Sequence, residues 1–138
     1  MNHDKGNSRI LVVDDEPDIL QSIKMGLERR GYPVDAFSDP VVALGQFSPS
    51  KYSLCIIDIK MPGMNGFELY REIKKRDYEA KVCFCTAHDQ EYREEFRRAF
   101  PELDGDSFIS KPATLKGLVS RIEQELESIG ATIVKSAP

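Results

Sequence analysis

Along this chain, two rhythms of apolar and polar residues replace one another five times. Ser8–Val13 (SRILVV) and Leu54–Asp58 (LCIID) are near-continuous apolar runs, the mark of strands covered on both faces. Pro33–Phe37, Lys81–Thr86 and Ser107–Ser110 are further runs of strand character. Between them the apolar positions follow a helical period. Ile19, Leu20, Ile23 and Leu27 make one stripe, and Phe67, Tyr70 and Ile73 another. Leu115, Leu118, Val119, Ile122, Leu126 and Ile129 make the clearest. Asp39 and Pro40 read as the N-cap and first residue of the second helix, while Gly31 and Gly130 close the first and last.

Five strand–helix repeats predict a parallel sheet with helices on both faces. The expected class is α/β: a flavodoxin-like, doubly wound (βα)5 fold with strand order 2-1-3-4-5. Such sheets bind ligands beyond the carboxyl ends of their strands, where strand order reverses. In this order strands 1 and 3 meet at that point. Acids following the first strand would therefore converge with Asp58 at the end of the third.

Composition adds boundaries rather than content. At 138 residues, 41% hydrophobic and 30% charged, the chain has the size and balance of one globular domain. Residues 1–8 are expected to form a flexible tail, 9–129 the domain, and 130–138 a tail or the stub of a linker. No apolar run approaches the roughly 20 residues of a membrane span, and MNHDKGNS has no export-signal core, so the expected location is cytoplasmic. A net charge of −4 argues against direct nucleic-acid binding. Cys55, Cys83 and Cys85 lie inside apolar runs and read as small buried hydrophobes in a reducing compartment, not a disulfide framework.

The chemistry collects at the strand ends: Asp14, Asp15 and Glu16 after the first, Asp58 after the third, Thr86 after the fourth, Lys111 and Pro112 after the fifth. Each alone has an ordinary explanation. Asp15 or Glu16 can cap the helix that Pro17 opens, Thr86 can end a strand, and a lysine can be solvated. Together they are a different matter. Carboxylates at one sheet edge repel one another and need a counter-charge. An all-oxygen cluster suits a hard divalent cation such as Mg²⁺, and Lys111 adds a point charge. Cation, ammonium and hydroxyl around one carboxylate are the parts phosphoryl transfer requires, with an Asp oxygen as nucleophile.

The segments LVVDDEPDIL, LCIIDIKMPGMNGFEL, FCTAHD and FISKPA occur in that order, with Asp15, Asp58, Thr86 and Lys111 spaced 43, 28 and 25 residues apart. In these motifs, from about Arg9 to Ile129, the chain resembles the receiver domains of two-component response regulators. The resemblance implies that Asp58 accepts a phosphoryl group from a histidine kinase or a histidine phosphotransfer protein. Asp15 and Asp58 would bind Mg²⁺ directly, Asp14 through water, and Lys60 by its backbone carbonyl. Thr86 would move to meet the phosphoryl group, Lys111 would pair with it, and Phe108 would change rotamer. The signal would leave by the face of helix 4, strand 5 and helix 5, toward a protein partner or a second copy. Lys60 and His88, two residues after Asp58 and Thr86, would flank the path of the hydrolytic water and set the lifetime. The resemblance further implies a cis peptide before Pro112, aiming Lys111 inward. Such a protein is a regulatory phosphoacceptor, not an enzyme, although its own phosphorylation and slow dephosphorylation are self-catalysed.

Two features depart from that pattern. The segment EYREEFRRAFPELDGD between Thr86 and the last strand is longer than usual and contains Pro101. Nothing after Ile129 has the length of an output domain, so the chain is expected to be a stand-alone receiver or a piece of a longer regulator. Two rivals remain. A Mg²⁺-dependent phosphohydrolase with an Asp nucleophile would carry Asp-x-Asp after the first strand, where this chain has Asp14, Asp15, Glu16. A receiver-like module that binds partners without phosphorylation would not need Asp58, Asp15, Thr86 and Lys111 together.

Overall fold

The computed structural model describes residues 9–86, 89–101, 108–110 and 114–128. Five strands, β1 (Arg9–Val13), β2 (Val34–Phe37), β3 (Tyr52–Ile57), β4 (Val82–Thr86) and β5 (Phe108–Ser110), alternate with five helices. These are α1 (Pro17–Arg29), α2 (Pro40–Gln46), α3 (Gly66–Arg76), α4 (Asp89–Ala99) and α5 (Leu115–Ser128). The strands form one parallel sheet in the order β2-β1-β3-β4-β5, the order expected of a flavodoxin-like fold.

Strand periodicity divides the core in two. Leu11, Val13, Cys55, Ile57, Val82, Phe84 and Phe108 face α2, α3 and α4. Ile10, Val12, Leu54, Ile56, Cys83, Cys85 and Ile109 face α1 and α5. With both faces covered, alternation disappears from the sequence and near-continuous apolar runs remain. All three cysteines are buried free thiols. Burial pushes the Cys55 thiol up to about 12 and also raises that of Cys83, so both are inert packing groups.

Local signals act as their chemistry dictates. Asp39 caps α2 by accepting the Val41 N–H at 2.8 Å. Gly31, at φ 93°, closes α1, with its N–H on Glu28 O and that of Tyr32 on Leu27 O, the Schellman arrangement. Three expectations need correction. β3 begins at Tyr52 rather than Leu54, and Asp58 lies just past its end. Neither Asp15 nor Glu16 caps α1: Glu16 holds the N-cap position without a side-chain cap bond. Leu115, first in the α5 stripe, is exposed, although Leu118, Val119, Ile122 and Leu126 are buried. Gly130 and Ile129 lie outside the described residues.

Candidate phosphoacceptor site

Register alone brings the acids together. Val13 and Ile57 are partners across β1 and β3, so Asp14 and Asp58 leave the sheet side by side. The Asp58 N–H still bonds to Val13 O at 2.9 Å, and the Asp14 N–H to Phe37 O at 3.2 Å. One carboxylate oxygen from each of Asp14, Asp15 and Asp58 lies within 4.8 Å of the others. Asp14 and Asp58 are buried, at 3% and 8% exposure, while Asp15 is half-buried. Two like charges at that distance repel by roughly 3 kcal/mol at an effective dielectric near 20.

The acids are held where they repel. Asp14 Oδ1 accepts the Glu16 N–H at 2.9 Å, an Asx turn that leads into Pro17 and α1. Asp58 Oδ1 accepts the Ile59 N–H at 2.9 Å. Among the described residues, the Asp15 carboxylate has no hydrogen-bond or ion-pair partner. Capping therefore does not consume it. A buried, converging, all-oxygen donor set fits a small hard cation such as Mg²⁺ and suits no soft metal.

β4 supplies the hydroxyl. Phe84 is level with Ile57, so Thr86, 4% exposed, ends β4 beyond the same sheet edge as Asp58. Phe108 pairs with Phe84 in the neighbouring strand and is buried against Phe84 and Phe96, with ring centroids 5.3 and 5.2 Å away. The Arg93 guanidinium of α4 sits 5.1 Å from the Phe108 ring centre. Any rotamer change of Phe108 must therefore disturb α4. The Lys60 side chain is exposed. Lys111, Pro112 and His88 lie outside the described residues, and with them the expected cis peptide.

The loop after Asp58 was legible only in part. Gly63, at φ +84°, makes the turn. Gly66 begins α3 with its N–H on Ile59 O at 2.8 Å. A Cβ at Gly66 would collide with the carbonyl oxygen of Asp58 and stand 2.8 Å from Ile59 Cα, so α3 starts against the Asp58 backbone. Asn65 and Glu68 form a reciprocal capping box, each side chain accepting the other's N–H at 2.9 Å. The Asn-x-x-Glu spacing of NGFE was the signal that could have revealed it.

A doubly wound five-stranded sheet with three acids at its switch point, a threonine on the adjacent strand end and a buried aromatic beyond it defines a receiver-type phosphoacceptor module. Residues 10–123 match the response regulator receiver domain, and the chain belongs to that family. It is 35% identical over 123 residues to the regulatory protein VanRB of Enterococcus faecalis, covering 89% of this chain and 54% of VanRB. The chain spans about half the length of the curated relatives it matches. Among solved structures it is similar to the response regulator TrrA of Thermotoga maritima in complex with Mg(2+)-BeF, at 31% identity and TM-score 0.64, covering 86% of this chain and 99% of that one. The non-phosphorylated HemR receiver domain of Leptospira biflexa aligns at 27% identity and TM-score 0.72, over 95% of this chain and 99% of that one. The protein is thus a regulatory signalling domain. Among the described residues, no helix is long and apolar enough to cross a membrane.

Proposed function

We propose that Asp58 is the phosphoacceptor of a cytoplasmic histidine–aspartate relay and that residues 9–129 form the unit that carries it. The supporting observation is the convergence of Asp14, Asp15 and Asp58 oxygens within 4.8 Å at the edge that Thr86 also reaches. Asp15 and Asp58, with the Lys60 carbonyl, would hold Mg²⁺ directly, and Asp14 would do so through water. The ion, when bound, neutralises charge on the phosphoryl oxygens.

An Asp58 carboxylate oxygen attacks the phosphorus of a phosphohistidine, on a histidine kinase or a histidine phosphotransfer protein. The new O–P bond forms as the P–N bond breaks, and the imidazole leaves with the electron pair and takes up a proton. Lys111 pairs with the phosphoryl oxygens and the Thr86 hydroxyl donates to one of them. That movement of Thr86 frees Phe108 to turn and changes the α4–β5–α5 face for a protein partner or a second copy. The reaction needs no partner enzyme beyond the donor, so the domain catalyses its own phosphorylation and slow dephosphorylation.

The test is labelling by acetyl phosphate with and without Mg²⁺. Wild type should incorporate label only with the metal, and Asp58→Asn should incorporate none. Full-rate labelling of Asp58→Asn would reject the assignment, and turnover of a small phosphoester would favour a phosphohydrolase. Thr86→Ala should take up label yet lose the change in amide exchange across α4 and β5.

A further inference from the structure

A concavity opens at the other end of the sheet from the acid cluster. It is bounded by the last turns of α3, the loop leading into β4, and Phe100 at the end of α4, and its volume is about 690 Å³. Although the chain carries a net charge of −4, cations crowd this wall. Arg71, Lys74, Lys75 and Lys81 line it against the single carboxylate of Glu79.

These cations differ in their commitments. Lys75 is paired with Glu72 at 3.1 Å. The Lys74 ammonium is fixed by the carbonyls of Tyr78 and Ala80, at 3.1 and 2.6 Å, and faces the rings of Tyr70 and Tyr78 at 5.6 and 5.9 Å. Burial, and then the like charge of Lys81, draw its pKa below the ordinary lysine value. Arg71 and Lys81 are exposed and, among the described residues, their side chains have no hydrogen-bond or ion-pair partner. Arg71 only lies over the Phe100 ring, 5.4 Å from its centre.

The aromatic side is equally unusual. Tyr78 is 84% exposed, a large flat ring left in water on the same lining as Arg71 and Lys81. Tyr70 and Phe100 meet edge to face at 4.8 Å and form an apolar floor. A flat ring, unpaired cations and one acceptor in a space within the roughly 300–1,000 Å³ of small-molecule sites suit a planar base carrying phosphate. The ring offers stacking, and Arg and Lys offer charge-assisted bonds to phosphate. Glu79 can accept a hydrogen bond from an exocyclic amine.

We propose that this groove is a binding site for a free nucleotide, with the base on Tyr78 and the phosphate on Arg71 and Lys81. The site is independent of Asp58 chemistry. Its floor nevertheless joins the aromatic cluster of Phe84, Phe96 and Phe108 through Tyr70 and Phe100, so an occupant would bear on the packing that holds Phe108.

The test is calorimetric titration of the full chain with adenosine 5′-monophosphate at low salt, with adenosine and inorganic phosphate as separate probes. The nucleotide should bind saturably, and each fragment about tenfold or more weaker. Tyr78→Ala and the pair Arg71→Ala with Lys81→Ala should each weaken binding by about tenfold. Unchanged acetyl phosphate labelling of Asp58 would certify that these exposed-site variants are folded. Lack of saturation at low-millimolar nucleotide, phosphate binding as tightly as the nucleotide, or indifference to the variants would each overturn the proposal. So would capture of an acidic peptide in preference to the nucleotide.

Discussion

Gly66 touches Asp58 backbone to backbone: the first residue of α3 stands where any side-chain carbon would collide with the Asp58 carbonyl oxygen. Both obstacles are main chain, Asp58 O and Ile59 Cα, and the Asn65–Glu68 box keeps the helix from sliding away. Gly66→Ala should therefore lower stability by about 1–3 kcal/mol, as overpacking does, and slow labelling of Asp58 at least tenfold. Gly63→Ala is the contrast. Its φ of +84° is unfavourable for alanine but a Cβ there meets nothing within 4 Å. It should cost about 1 kcal/mol and leave labelling nearly intact. Urea midpoints and acetyl phosphate labelling separate the two; a Gly66→Ala protein labelled at the wild-type rate would show that the contact does not position the acceptor.

The convergence of Asp14, Asp15 and Asp58 should leave the metal-free protein below its attainable stability. Asp15 is the member to remove, because Asp14 is tied to the Glu16 N–H and Asp58 is the proposed nucleophile. Without divalent cations, Asp15→Asn should melt about 4 °C higher than wild type, the equivalent of about 1 kcal/mol in a domain of this size. Mg²⁺ should raise the wild-type midpoint and raise that of Asp15→Asn much less, since both changes relieve the same repulsion. Strictly additive effects of the substitution and Mg²⁺ in calorimetric scans would mean that two separate places are involved.

The parts of this molecule that could be read from sequence are those fixed by local rules. The runs Ser8–Val13 and Leu54–Asp58 declared themselves as doubly covered strands, with bounds that differ from β1 and β3, and Asp39–Pro40 as a helix start, because burial and capping act within a few residues. Asp14 and Asp58 could be joined only through topology, and the inferred strand order was sufficient for that. The ordinary reading of Asp15 or Glu16 as the cap of α1 was open because Asp is a good cap residue by type, and Glu16 takes the N-cap position with no side-chain cap bond. The structure instead uses Asp14 in an Asx turn, a choice imposed by the site. The Gly66 contact, the Arg93–Phe108 pairing and the basic groove at Tyr78 depend on how α3 and α4 lie over the sheet, and no periodicity encodes that.

Asp35 anchors the other end of the sheet and should set part of the acid limb of stability. Burial alone would raise its pKa. Hydrogen bonds from Tyr52 at 2.8 Å and Arg9 at 3.0 Å, with the charges of Arg9 and Lys51, instead hold it below the ordinary carboxylate value. A carboxylate whose folded pKa is depressed stabilises the protein above its unfolded pKa, about 3.9, and loses that contribution as pH falls through the folded value. Asp35→Asn should therefore cost about 1 kcal/mol at neutral pH, a modest value for a partly solvated cluster. Its deficit should shrink as pH falls below about 4. Urea midpoints across that range provide the measurement; a deficit that stays constant would remove Asp35 from the acid limb.

Lys60 bears on how long a phosphorylated Asp58 would last. It stands two residues past Asp58, outside the buried cluster, with its side chain in solvent. A carboxamide or carboxylate there would be short enough to orient a water for in-line attack on the phosphorus. Lysine is a long, flexible cation with donors only, and it is drawn to the phosphoryl oxygens rather than to the water. It should therefore lie across the phosphoryl group and shield it, which makes self-dephosphorylation slow. Lys60→Asn should lose label several-fold faster than wild type at fixed pH and Mg²⁺. Lys60→Met, of similar reach without charge, should fall between them if both bulk and charge contribute. The decay is read after removing excess acetyl phosphate. Equal or slower loss from Lys60→Asn would mean that the side chain stays in solvent and that another group sets the lifetime.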